Sequence, residues 1–171
     1  MTIIMGIDPG SNITGYGIIH LHQHIPCVID YGVIRVKGNT LCEKLGLIQT
    51  QVKQLADTHD PNVLAIESVF IAKNAQSALK LGQARGAAIS AVASHQPTFA
   101  EYSPREIKLA IVGYGNASKT QVQHMIKTIL KLPKTPPSDA ADALAIALCH
   151  CHQQRLAHTL KHSHTTAGDG A

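Results

Sequence analysis

Carboxylates are scarce in this chain. Its 171 residues carry 11 Asp and Glu against 15 Lys and Arg, for a formal net charge of +4. An acid at the end of a secondary-structure element is therefore more informative here than in an acid-rich protein. The basic excess is compatible with a polyanionic partner without requiring one. Long apolar runs are also missing: the best, Ala87 to Ala93, is interrupted by Ser90 and far too short to span a bilayer. Met1-Thr2 has no basic flank of the kind that opens a signal peptide, so a cytoplasmic location is expected. Cys27, Cys42, Cys149 and Cys151 show no spacing of a disulfide framework and read as reduced thiols. No internal repeat is present. A chain of this length forms most simply one domain, whose core needs neither disulfide nor structural metal.

What is present is organised around the segment from Ile3 to Gly17. Ile3, Ile4, Met5 and Ile7 make a near-continuous apolar run suited to a strand covered on both faces, and Pro9-Gly10 ends it. Asp8 thus stands where a sheet stops. Thr14 to Ile19 reads as the returning strand, with glycines at 15 and 17 that let a backbone or ligand come close. Ile25 to Val36 completes an antiparallel meander, and Gly32 within it predicts a bulge.

The period then changes. Leu41, Leu45, Ile48, Val52 and Leu55 predict a helix to about Thr58, closed by Asp60-Pro61. Val63 to Glu67 repeats the opening logic as a buried strand ending in an acid. From Ala75 to His95 a helix is predicted with Ala78, Gly82, Gly86 and Ser90 along one face. That row would pack closely, either on a second copy of the chain or on its own sheet. Thr98 to Tyr102 reads as the last strand. Ser103-Pro104 and Ser118 start two further helices, the second with Lys119, Gln123, Lys127 and Lys131 on its polar side. A lysine row of this kind is a solvated face or a phosphate track. Ser138 is the predicted N-cap of an alanine-rich helix through Leu148. Past His152 the composition turns polar, so the expected division is a folded domain over 1–152 and a disordered tail over 153–171.

Asp139 and Asp142 lie three apart in the first turn of that last helix and project from one side of it. Taken alone they are either a charged first turn or half of a cation site. Taken with Asp8 and Glu67 they make four acids at three element ends. Neighbouring strand ends in an open sheet can bring such groups together, and hard oxygen donors of that number suit Mg²⁺ or Mn²⁺. Two such ions can serve a phosphodiester displacement. Cys149-His150-Cys151-His152 invites a zinc reading, but alternate residues of a helix point apart and no second ligand pair of finger spacing accompanies them.

Four segments closely resemble the RuvC family of Holliday junction resolvases. They are Gly6-Ile7-Asp8-Pro9-Gly10-Ser11 with Thr14-Gly15-Tyr16-Gly17, Ala65-Ile66-Glu67 with Val69-Phe70, the stretch from Asn74 to Gly86, and Asp139-Ala140-Ala141-Asp142-Ala143-Leu144-Ala145. The likeness runs in order from about Ile3 to His152. It implies an α/β fold of RNase H-like type, a five-stranded mixed sheet flanked by helices. It also implies a homodimeric endonuclease that resolves four-way DNA junctions by paired symmetric nicks in recombination and repair. Mg²⁺ is the implied cofactor, with Mn²⁺ substituting and two ions per subunit, and the RuvA and RuvB branch-migration proteins are the implied partners. Carried over by position, Asp8, Glu67, Asp139 and Asp142 match the catalytic acids and metal ligands. Phe70 matches an aromatic implicated in base contact, its alternative being a core phenylalanine. Lys108 and Lys119 match basic residues implicated in DNA handling or catalysis, and Lys127 extends the Lys119 row.

Three other readings remain open from sequence. An actin-like or sugar-kinase ATPase also begins with a strand, Gly-Ile-Asp and a phosphate-holding turn, but needs a second comparable domain. A related RNase H-fold nuclease processes ribosomal RNA precursors. A non-catalytic junction-binding module would bind without cutting.

Overall fold

The computed structural model describes residues 2–68 and 75–165. Five strands, β1 (Thr2–Asp8), β2 (Ile13–His22), β3 (Ile25–Arg35), β4 (Val63–Glu67) and β5 (Thr98–Tyr102), form one sheet in the order β3-β2-β1-β4-β5. The first three are the antiparallel meander expected from the sequence. β4 and β5 then add in parallel, with Ile7 of β1 opposite Ile66 of β4. The helices are α1 (Leu41–His59), α2 (Ala75–Val92), α3 (Pro104–Val112), α4 (Lys119–Ile129) and α5 (Ser138–Thr165), with a short 3-10 turn at Ala93–His95.

Alternation along the central strands assigns the helices to two faces. Met5, Ile7, Ile18, Leu64 and Ile66 pack against Ile48, Val52 and Ala56 of α1 and Ala84, Ala88 and Val92 of α2. Ile4, Ile19, Val63 and Ala65 pack against α3, α4 and the Leu144–Cys149 stretch of α5. Both faces of β1 are therefore covered, as its continuous apolar run requires. From Ala140 to Cys149, α5 is apolar around most of its circumference and buried, with only Asp142 reaching the edge of the core.

Alanine there does more than favour a helix. A Cβ at Gly6 would lie 2.2 Å from the Ala143 carbonyl oxygen, and one at Gly15 would lie 1.9 Å from that of Asp139. The glycines of β1 and β2 let the α5 backbone rest directly on the sheet, which is the close approach their positions predict.

Three details differ from the sequence reading. The bulge of the meander falls at Ile29, where the register shifts opposite Ile18 and Ile19; Gly32 instead makes room for the Tyr16 ring. α5 begins at Ser138 itself, because the Pro137 carbonyl accepts the first bond, from the Ala141 N–H at 2.8 Å. α5 also continues past His152 to Thr165, since Gln153, Gln154, Arg155, Leu156 and Ala157 are good helix formers and extend an established helix at little cost. Residues 166–171 lie outside the described residues. Of the two packing partners left open for the α2 row, its own sheet is not one: Gly82 and Gly86 have open space where a Cβ would stand, and Leu79 is 62% exposed. The side of α2 that meets the sheet is the Ala84, Ala88, Ala91 row, so the small-residue row faces away from the subunit's own core.

Candidate active site

The carboxylates converge because three kinds of chain ending meet at one edge of the sheet. Asp8 is the last residue of β1, and the turn after it is locked by Thr14, which is fully buried. The Thr14 hydroxyl donates to the Gly10 carbonyl at 3.2 Å and accepts from the Gly10 N–H at 3.3 Å. Glu67 ends β4, parallel to β1 and one register step on. The chain just beyond it is held by the Ser68 N–H donating to the Tyr102 carbonyl at 2.9 Å. Asp139 and Asp142 arrive from the start of α5, set beside Asp8 by the contact of Gly15 with the Asp139 backbone. The macrodipole of α5 favours negative charge at this end.

Lysines complete the wall. Lys119 opens α4 just after its Ser118 cap and places Nζ 3.3 Å from Asp142 Oδ2. Lys108 comes from α3. Asp8, Glu67, Asp142, Lys108 and Lys119 together line a cleft of about 270 Å³, floored by Ile107, Val122, Ala145 and Ile146. These apolar residues read in sequence as plain core. Their second role follows from lying beside the lysines on α3 and α4 and beside Asp142 on α5.

The electrostatics are strained toward a cation. Asp8 is pushed from its usual 3.8 up to about 7, first by burial and then by the charges of Asp142, Glu67 and Asp139, with Lys119 acting the other way. Burial and Asp142 also raise Glu67, against Lys119 and Lys108. Lys119 is held above its ordinary value, chiefly by Asp142. Among the described residues no three His, Cys, Asp or Glu side chains close into a metal cage. The acids instead border an open cleft. An all-carboxylate, partly open donor set fits a Mg²⁺-like ion, which keeps several of its own waters, better than zinc.

The remaining sequence candidates lie elsewhere. Lys127 is two turns along α4 from Lys119, about 12 Å, and does not reach the cleft. On the same row Gln123 turns to the Pro136 carbonyl, 2.7 Å away, so the row follows the α4–α5 connection. Phe70 lies outside the described residues. Cys149 and Cys151 are core residues whose thiols burial pushes up to about 12. His150 is occupied at Nδ1 by the Tyr102 hydroxyl at 2.6 Å and at Nε2 by Gln154 at 2.9 Å. That part-buried Tyr102–His150 contact ties the end of β5 to α5. No sequence signal pointed to it, since the pair is 48 residues apart.

A mixed five-stranded sheet in this order, with acids gathered at the ends of β1 and β4 and at the start of the helix laid across them, defines the RNase H-like nuclease class. The family model for crossover junction endodeoxyribonuclease RuvC matches residues 4–150, and the chain belongs to the RuvC family. A crossover junction endodeoxyribonuclease RuvC of Pseudoalteromonas atlantica is 56% identical over 152 residues, covering 89% of this chain and 88% of that protein. The structure of Thermus thermophilus RuvC in complex with a Holliday junction substrate superposes with a TM-score of 0.81 at 29% identity, covering 91% of this chain and 96% of the other. The yeast mitochondrial Holliday junction resolvase Ydc2 shares the fold, with a TM-score of 0.67 at 13% identity over 89% of this chain and 80% of that one. Among the described residues no helix is long and apolar enough to cross a membrane.

Proposed function

We propose that this protein is a metal-dependent endonuclease that resolves four-way DNA junctions by paired, symmetric nicks, one in each subunit of a homodimer. The observation that carries this is the meeting of Asp8, Glu67 and Asp142 with Lys108 and Lys119 in one cleft, with Asp139 close enough to act on Asp8. Asp8, Glu67, Asp139 and Asp142 would hold Mg²⁺ or Mn²⁺, two ions per subunit by family resemblance. Bound there, the metal would supply a Lewis acid for the phosphate and an activated water. The chain's own groups do the rest. Lys119 stays charged and offsets the negative charge that builds on the scissile phosphate. Lys108, from α3, holds the strand by a phosphate contact that reads no sequence. The apolar floor of Ile107, Val122 and Ile146 limits water behind the reacting group.

A two-fold substrate calls for a two-fold enzyme. The outward row of Ala78, Gly82, Gly86 and Ser90 on α2, with exposed Leu79 beside it, supports close helix packing between two copies. A Cβ added at Gly86 meets nothing within 4 Å in the isolated subunit, so Gly86→Leu points its side chain outward. It is expected to convert the dimer to a folded monomer in sedimentation analysis and to abolish paired nicking; a Gly86→Leu protein that sediments as the parent does would remove α2 from the interface. RuvA and RuvB are proposed as functional partners by family resemblance, as is Phe70 as a base-stacking residue.

The function is tested by offering a synthetic four-way junction and a linear duplex of the same sequence, with Mg²⁺ and with chelator. Paired nicks confined to the junction and abolished by chelator are expected. Preferential cutting of structured RNA, or tight junction binding with no cleavage in Mg²⁺ or Mn²⁺, would overturn the proposal.

A further inference from the structure

A second concavity opens at the Asp8 end of the sheet, on the face opposite the acid cleft. It encloses about 280 Å³ between the β1–β2 turn, the approach to α1 and the start of α2. Its walls carry Ser11 and Asn12 from the turn, Asn39 and Lys44 from the α1 side, and Lys80 from α2. Every one of these side chains offers a donor, and two are cationic. No acid lines it. Among the described residues Lys44 and Lys80 take part in no ion pair, whereas Lys119 and Lys53 do.

The nearest acid in sequence, Glu43, is turned back onto the chain. It accepts from the Asn39 N–H at 2.7 Å and the Thr40 N–H at 3.3 Å, completing the α1 capping box. The Thr40 hydroxyl accepts in turn from the Glu43 N–H at 3.2 Å, and the pocket's attraction for an anion comes from its lysines and side-chain donors. The turn itself is fixed, because the Val36 N–H donates to the Asn12 carbonyl at 2.8 Å.

We propose that this pocket seats a backbone phosphate of a junction arm and so forms a second anchor for the DNA that enters the acid cleft. The inference rests on the nuclease function proposed above. Placement favours DNA over a free anion. Ser11 is three residues from Asp8, so its Cα lies within about 10 Å of that of Asp8. That is the rise of about three nucleotides along one strand. A strand with its scissile phosphate at Asp8 would bring a second phosphate within reach of Ser11, whose pocket Lys80 also lines. Phosphates held on both faces of the sheet would fix the angle at which an arm approaches, which a single contact cannot do. The contacts carry no base readout and act equally on all sequences.

The test is junction binding by the full chain in chelator, measured by fluorescence anisotropy from 50 to 200 mM salt. Lys44→Ala/Lys80→Ala is expected to weaken binding about tenfold at the low-salt end and to reduce the slope of log affinity against log salt by about 1 to 2. Lys44→Arg/Lys80→Arg should restore both, and Lys53→Ala, on the far part of α1 in an ion pair with Asp57, should change neither. Parental affinity and slope in the double alanine variant, with the parent binding normally, would overturn this inference alone. Failure of the parent to bind a junction at all would overturn the proposed function and this anchor with it.

Discussion

Asp8→Asn is expected to bind a four-way junction as the parent does in chelator, to lose cleavage by at least about 10³-fold, and to be more stable than the parent at pH 8. The loss corresponds to about 4 kcal/mol of transition-state stabilisation, an amount consistent with removing one carboxylate from the proposed metal site. The gain in stability has a separate origin. Asp8 binds its proton up to about pH 7 in the folded protein, against 3.8 for the free group, because it is buried and faces three other acids. Between those values the native state holds a proton that the unfolded chain has released. Stability therefore falls as pH rises through that window. Glu67, raised for similar reasons, adds to the same slope.

From 3.8 to about 7 the contribution of Asp8 is at most about 4 kcal/mol. Asparagine has no charge to lose, so thermal unfolding of the parent and the variant should diverge at pH 8 and converge near pH 4. Added Mg²⁺ should raise the melting temperature of the parent more than that of the variant, because ligands that bind the native state stabilise it by mass action. Equal melting of the two proteins at both pH values would show that the four acids do not repel one another as described. Loss of junction binding in chelator would make Asp8 a structural residue.

Gly15→Ala carries the second large effect, on stability and cleavage together. One added methyl would stand 1.9 Å from the Asp139 carbonyl oxygen and 3.2 Å from the Ala140 nitrogen, both backbone atoms that no rotamer change can move. α5 has to lift from β2 or β2 has to bend. Overpacking of this kind costs about 3 kcal/mol, or a fall of about 6–12 °C in melting temperature for a domain of this size. The displaced end of α5 carries Asp139 and Asp142. Cleavage should therefore drop well below the level explained by unfolded protein, even at a temperature where the variant is fully folded. Gly46→Ala is the matched control. It lies on the exposed side of α1 with nothing within 4 Å of the added carbon. There the same methyl should stabilise the helix by up to about 1 kcal/mol. If both substitutions proved neutral, the α5 backbone would not rest on the glycines of the sheet.

The apolar runs of β1 and β4 and the cap residues Ser103 and Ser118 are local signals, and the sequence reveals them because burial and capping act over a few residues. Helix ends are less legible. The tail past His152 is polar, yet Gln153 to Ala157 extend an existing helix, and nucleation had already been met in the buried stretch before them.

Local pattern also marked Asp8, Glu67, Asp139 and Asp142 as acids at element ends, and family resemblance joined them. Their meeting in space is a property of the sheet: β4 had to pair parallel with β1, and α5 had to settle on Gly6, Gly15 and Gly17. The same packing decided which lysines belong with them. Lys119 and Lys127 share a row on one helix, but only the first turn of α4 reaches the cleft. Lys44 and Lys80 carry no pattern at all, being 36 residues apart on two helices, and come together only where those helices begin on the same side of the sheet. By itself the sequence determined the elements, their buried faces and the acids at their ends, because those depend on neighbours within a few residues. The tertiary structure alone decided which ends meet and which charges face them, because that depends on strand pairing and backbone contact between segments distant in the chain.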